Sequence, residues 1–122
     1  MPDFEFDLDA PQGLLTVRLL GFWNVETVAR YGQELAAHLQ KLAQLRPPRA
    51  CLVDARSFAI QTKEVAERQV QIVGSLLPLY PERTARVVGS AIARQQASRM
   101  ATNSSHRVFD SIDDALQWLR EK

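Results

Sequence analysis

Residues 49–90, RACLVDARSFAIQTKEVAERQVQIVGSLLPLYPERTARVVGS, read as one strand–helix–strand unit, and that reading sets the fold class. RACLVDA (49–55) is the short apolar run of a strand buried on both faces. ARVVGSA (85–91) is a second strand. Between them a helix begins near Thr62, with Val65, Ile72, Val73, Leu76, Leu77 and Tyr80 as its apolar stripe. Pro78 and Pro81 end or kink it, because proline has no amide to donate and clashes with the preceding turn. Strands joined through helices imply parallel neighbours linked by right-handed crossovers.

Toward the N-terminus, FEFDLD (4–9) sets Phe4, Phe6 and Leu8 against Glu5, Asp7 and Asp9, the period of a strand with one wet face. APQG (10–13) supplies a turn, and LLTVRLL (14–20) the returning strand of a β-hairpin. GFWN (21–24) then starts a helix. Asn24 suits the N-cap, and Trp23 and Val28 are spaced for a hydrophobic staple. Val28, Tyr31, Leu35, Leu39 and Leu42 line its apolar face until RPP (46–48) stops it.

Toward the C-terminus, IARQQASRMATN (92–103) reads as a shorter helix with Ile92, Gln96, Ala97 and Met100 on one side. HRVF (106–109) is a short strand. Ser111 caps a last helix, Asp114 resembles the far half of a capping box, and Ile112, Ala115, Leu116 and Leu119 form its stripe. The order ββαβαβαβα predicts a single α/β domain over residues 1–122, with a mixed sheet whose first strand is antiparallel.

The composition is globular: 122 residues, 46% hydrophobic and 24% charged. A net charge of +1 gives nucleic-acid binding no global electrostatic support. Cys51, the single cysteine, can neither close an internal disulfide nor build a cysteine-rich metal site, and its apolar neighbours mark a core thiol. MPDFEFDLDA (1–10) is unlike a signal or transit peptide, and no apolar run nears the ~20 residues that span a bilayer. A cytoplasmic protein without transmembrane segment is expected. The pattern Asn103-Ser104-Ser105 matches a glycosylation acceptor that has no meaning without secretion.

Ligands of a parallel α/β sheet bind outside the carboxyl ends of its strands. That edge should collect Gly21, Phe22 and Trp23, then Asp54, Arg56, Ser57 and Phe58, and also Ser90, Ala91 and Asp110. The candidate binding residues are Trp23, Asp54, Arg56, Ser57, Phe58, Thr62 and Lys63. A phosphate on Thr62 would meet free amides at a positive helix end, beside Lys63; the commonplace reading, and the one expected, is that Thr62 is an N-cap. Ser57 suits a turn hydrogen bond, and Trp23 and Trp118 suit a core. Asp54 and Arg56, two apart on an extended chain, share a face and fit a loop-bracing ion pair. A hydrolase would recruit Ser57, Ser104 or Ser105 with His106 and Asp110, without a Gly-x-Ser-x-Gly elbow. Neither His38 nor His106 has metal-ligand spacing, and no glycine-rich phosphate loop is present, so no cofactor is expected. Arg83, Arg86, Arg94, Arg99 and Arg107 gather in the second half, a candidate basic face.

Three stretches, LLTVRLLGFWNVETV (14–28), PPRACLVDARSF (47–58) and RVFDSIDDALQWL (107–119), together with ARVVGS (85–90), resemble the SpoIIAA-like branch of the STAS superfamily of sulphate-transporter and anti-sigma-factor-antagonist domains. The resemblance implies a SpoIIAA/STAS-like mixed sheet with helices mainly on one side. It implies a regulatory protein-interaction domain, not an enzyme. In anti-sigma antagonists a serine at the start of the helix after the third strand is a phosphorylation switch, in a motif close to Asp-Ser-Ser-Gly. That motif falls here on Thr62, Lys63, Glu64 and Val65, so the serine positions carry Lys63 and Glu64. Comparison with Sec14-type domains implies, as the alternative, a small apolar ligand or lipid. That reading asks for an enclosed cavity lined by Leu76, Leu77, Tyr80, Ile92 or Met100. Helices on one side would leave the other sheet face to be covered, and a homodimer is expected on that ground.

Overall fold

The strands pair in their order along the chain. The structure, a computed structural model, describes residues 2–99 and 105–121. Its elements are β1 (Phe4–Asp9), β2 (Leu14–Leu19), α1 (Val25–Ala43), β3 (Ala50–Ala55), α2 (Lys63–Leu76), a 3-10 turn (Leu77–Leu79), β4 (Arg83–Val88), α3 (Ala91–Ser98), β5 (His106–Phe109) and α4 (Ile112–Arg120). The ββαβαβαβα order is the one expected. The sheet runs β1-β2-β3-β4-β5, with β1 antiparallel to β2 and all other pairs parallel.

This order places the helices. Right-handed crossovers that all step the same way put their helices on one face. The steps β2→β3, β3→β4 and β4→β5 all do so, carrying α1, α2 and α3. The last helix, α4, leads to no further strand and takes the other face. It packs Ala115 and Trp118 on Leu52, Ala85 and Val87. The main core lies opposite, where Leu15, Val17 and Leu19 of β2 and Cys51, Val53 and Ala55 of β3 meet Val28, Tyr31, Leu35, Leu39 and Leu42 of α1 and Val65 of α2. β3 is therefore buried on both faces, as its unbroken apolar run requires. The Cys51 thiol is fully buried, and burial, opposed by Arg86, raises its pKa to about 12.

Past α4 the second face becomes polar. Across β1 and β2, Glu5 faces Arg18 and Asp7 faces Thr16, with an Arg18–Glu5 ion pair of 3.3 Å. Among the described residues none of the exposed large hydrophobics lies on that face, so nothing there supports the expected homodimer.

Three further expectations need correction. Ile92 is 61% exposed, because it falls in the first turn of α3, beyond the end of the sheet that Ala97 covers. Gln69, absent from the expected stripe of α2, is buried there, whereas Ile72 and Leu76 are only partly buried. Only some of the arginines share a face, and Arg86 is not among them. Arg83 and Arg107 lie over Trp118 on the α4 side, while Arg86 shares a register with Val53 and Val108 and faces the other helices. The expectations for Met100, Asn103 and Ser104 lie outside the described residues.

Candidate functional site

The carboxyl ends of β2, β3 and β4 are tied together by their own loops. After β2, Gly21 takes φ +74°, a conformation that glycine adopts without strain, and bridges to Phe58 in the loop after β3. Its amide donates to the Ser57 carbonyl at 3.2 Å, and its carbonyl accepts from Ala59 at 3.0 Å. Gln61 locks the same junction: its Oε1 accepts from the Trp23 amide at 2.8 Å, and its Nε2 donates to the carbonyls of Gly21 and Ala59. After β4, a side chain at Gly89 would stand 2.9 Å from the Arg56 carbonyl, so this turn lies against the β3 loop. Gln96 of α3 reaches the Gln61 carbonyl at 3.5 Å.

The expected binding residues all lie at this edge, in different roles. Trp23 is 1% exposed, so it is no binding platform. Its indole donates to the carbonyls of Leu20 and Asp3, and its ring packs edge-on against Phe58 at 4.7 Å. Asp54 and Arg56 form the loop-bracing pair: Nε donates to Oδ1 and Nη2 to Oδ2, each at 3.0 Å, and the Arg56 amide also donates to Oδ1. Partial burial works to raise the Asp54 pKa, but the Arg56 hydrogen bonds and the charges of Arg56 and Arg18 hold it below the usual carboxylate range. Ser57 is exposed, and its carbonyl, not its hydroxyl, makes the turn bond to Gly21. Thr62 is the N-cap of α2, its Oγ1 accepting from the Val65 amide at 3.2 Å. Lys63 and Glu64 follow as the first two residues of the helix, both exposed.

Gln61 was not legible as a site residue. A glutamine before a cap has no sequence signature, and only the fold brings it to Trp23. Phe22, Ile60 and Ile92 also emerge here as exposed large hydrophobics of this edge. Their exposure depends on the loops' course, not on local pattern.

No family model matches the sequence, and no curated protein matches it at a significant level. Solved structures do. An uncharacterised DUF3478-family protein from Shewanella loihica with a SpoIIAA-like fold aligns over 95% of this chain and 93% of its own, at 16% identity and a TM-score of 0.68. An anti-sigma factor antagonist from Mycobacterium paratuberculosis aligns over 99% and 98%, at 16% identity and a TM-score of 0.66. The fold is SpoIIAA-like.

On this SpoIIAA-like frame the hydrolase set does not assemble among the described residues. Ser105 Oγ lies 3.3 Å from His106 Nδ1, but the two are sequence neighbours where β5 begins. Asp110 follows β5 at its other end, about 13 Å along an extended chain, and cannot orient the imidazole. Burial, with the charge of Arg86, lowers the His106 pKa. His38 instead stacks on Phe6, ring centroids 4.2 Å apart. Among the described residues no acidic, histidine or cysteine cluster suits a metal ion, and no helix is long and apolar enough to cross a membrane.

The cavity that Tyr80 lines measures about 20 Å³, far below the several hundred that a lipid or drug-sized ligand fills. Leu76 lines a larger space of about 550 Å³, but this is a groove open to solvent between α1 and α2. Neither is the enclosed apolar chamber that the lipid reading asks for.

Proposed function

We propose that this chain is a non-catalytic, cytoplasmic regulatory domain that docks a protein partner on the carboxyl edge of its sheet. One observation carries the reading. Among the described residues the exposed large hydrophobics are Phe22, Ile60 and Ile92, at 61%, 42% and 61%, and each follows a different strand at that edge. Apolar knobs within a polar rim are the anatomy of a protein interface. Arg56, Ser57, Thr62 and Lys63 supply the rim; Trp23, Phe58 and the Asp54–Arg56 pair hold it in shape. The similarity in fold to an anti-sigma factor antagonist supports a protein ligand over a small molecule. Lys63 and Glu64 stand where the resemblance puts the switch serine, so docking here is not gated by phosphorylation of such a serine.

The test is affinity purification from the native cell with the wild type and with a Phe22→Ser/Ile60→Ser/Ile92→Ser variant, followed by reconstitution from pure components. A protein that binds the wild type stoichiometrically and loses the triple variant bears the reading out. A partner that binds both equally removes it.

A further inference from the structure

Arg86 stands in the middle of β4, in register with Val53 and Val108, and points into the layer between the sheet and helices α2 and α3. A little of its surface touches solvent, yet burial is the dominant influence on its charge. Among the described residues the guanidinium makes no ion pair. Every aspartate and glutamate of the chain is among the described residues, and their ion pairs go to Arg18, Arg30, Arg49, Arg56, Arg68 and Arg83. The ionisable groups that act on Arg86 are Tyr31, Tyr80 and Cys51, and burial raises the pKa of all three, so they stay neutral. Arginine itself does not give up its proton in a protein. Partial burial penalises a charge without a partner, and this favours an anion from outside the chain beside the guanidinium.

Arg86 lines two small cavities, each about 20 Å³. Tyr80, Thr84 and His106 share the first with it. Thr84 is 3% exposed, and its Oγ1 has no hydrogen-bond partner, so a hydroxyl proton is free to be donated there. Gln69 and Gln96 share the second, beneath Phe58. We propose that a single halide-sized monoanion, with chloride as its representative, sits in the first cavity as the counter-ion of Arg86, held by the guanidinium and the Thr84 hydroxyl. The size follows from the volume, which admits one water-sized guest and excludes a phosphate or a carboxylate-bearing metabolite. The sign follows from Arg86.

The test uses the full chain and sodium bromide, sodium chloride and sodium gluconate at equal ionic strength. In the halides Tm should rise by about 5 °C for each tenfold of halide above its Kd, with no such rise in gluconate. Crystals grown in bromide should show its anomalous peak within hydrogen-bond reach of Arg86. Thr84→Val should weaken the halide dependence, and Arg86→Met should abolish it. If Arg86→Met fails to fold, the wild-type peak and Thr84→Val still decide. Equal Tm in all three salts overturns the proposal, as does a bromide map without a peak at Arg86; a peak without halide-dependent Tm marks an adventitious ion only and overturns it too.

Discussion

Gln61 Oε1 accepts the Trp23 backbone N–H at 2.8 Å, and both residues are buried. One side chain thus satisfies the amide that follows the β2 turn and, through Nε2, one carbonyl of that turn and one of the β3 loop. Gln61→Leu keeps the volume but leaves the Trp23 amide unpaired. The expected loss is about 1–3 kcal/mol in denaturant unfolding, with slackened loops at the carboxyl edge.

Thr62 does for α2 what Asn24, Ser90 and Ser111 do for α1, α3 and α4. Thr62→Ala should lower stability by about 1 kcal/mol, and Thr62→Ser should restore most of it. Partner binding should be unchanged once stability is matched. Loss of binding at unchanged stability would instead give Thr62 a recognition role.

At Gly89 the neighbour is backbone, the Arg56 carbonyl, so it cannot rotate aside as a side-chain tip would. Gly89→Ala should be destabilising by about 1–3 kcal/mol, as overpacking is. Chemical shifts on the β3 loop should move with it.

Stability should fall in acid in two windows. In gluconate, which leaves the Arg86 cavity without a halide, His106 has a lowered pKa in the fold, so the unfolded chain binds its proton first, and stability declines as pH drops below about 6.5. Asp54 is also lowered, and its contribution is present above about pH 3.9 and lost as pH falls through its folded pKa. The half-exposed Arg56 limits the size of this second step. Unfolding midpoints measured against pH should lose the upper step in His106→Phe and the lower step in Asp54→Asn.

Phe22, Ile60 and Ile92 are exposed, so their changes to serine should move stability by less than about 0.5 kcal/mol each. Affinity for the reconstituted partner should fall by about tenfold or more at whichever of them is a hot spot. Calorimetric titration of the single variants checks both halves.

The strand–helix alternation of residues 49–90 was legible because period and punctuation are local: the apolar run of β3, the stripe of α2 and the prolines after it act within one or two turns. The N-caps at Asn24 and Ser111 were legible for the same reason. Ile92 and Gln69 were misjudged because burial depends on what stands opposite. α3 starts past the sheet's edge, and Gln69 faces a cavity that Arg86 makes polar.

The sequence by itself determined the order of the elements, the antiparallel first strand and the buried thiol. Asp54–Arg56, two residues apart on one strand end, was a local fact as well. Tertiary structure alone decided that α4 closes the second face, that Trp23 is buried beneath the loops, and that Gln61 binds an amide 38 positions away. It alone decided that Arg86 faces no carboxylate among the described residues. Short-range hydrogen bonding and hydrophobic period act along the chain, whereas which groups share a buried space depends on how the strands come together, and that arrangement has no signature in any single segment.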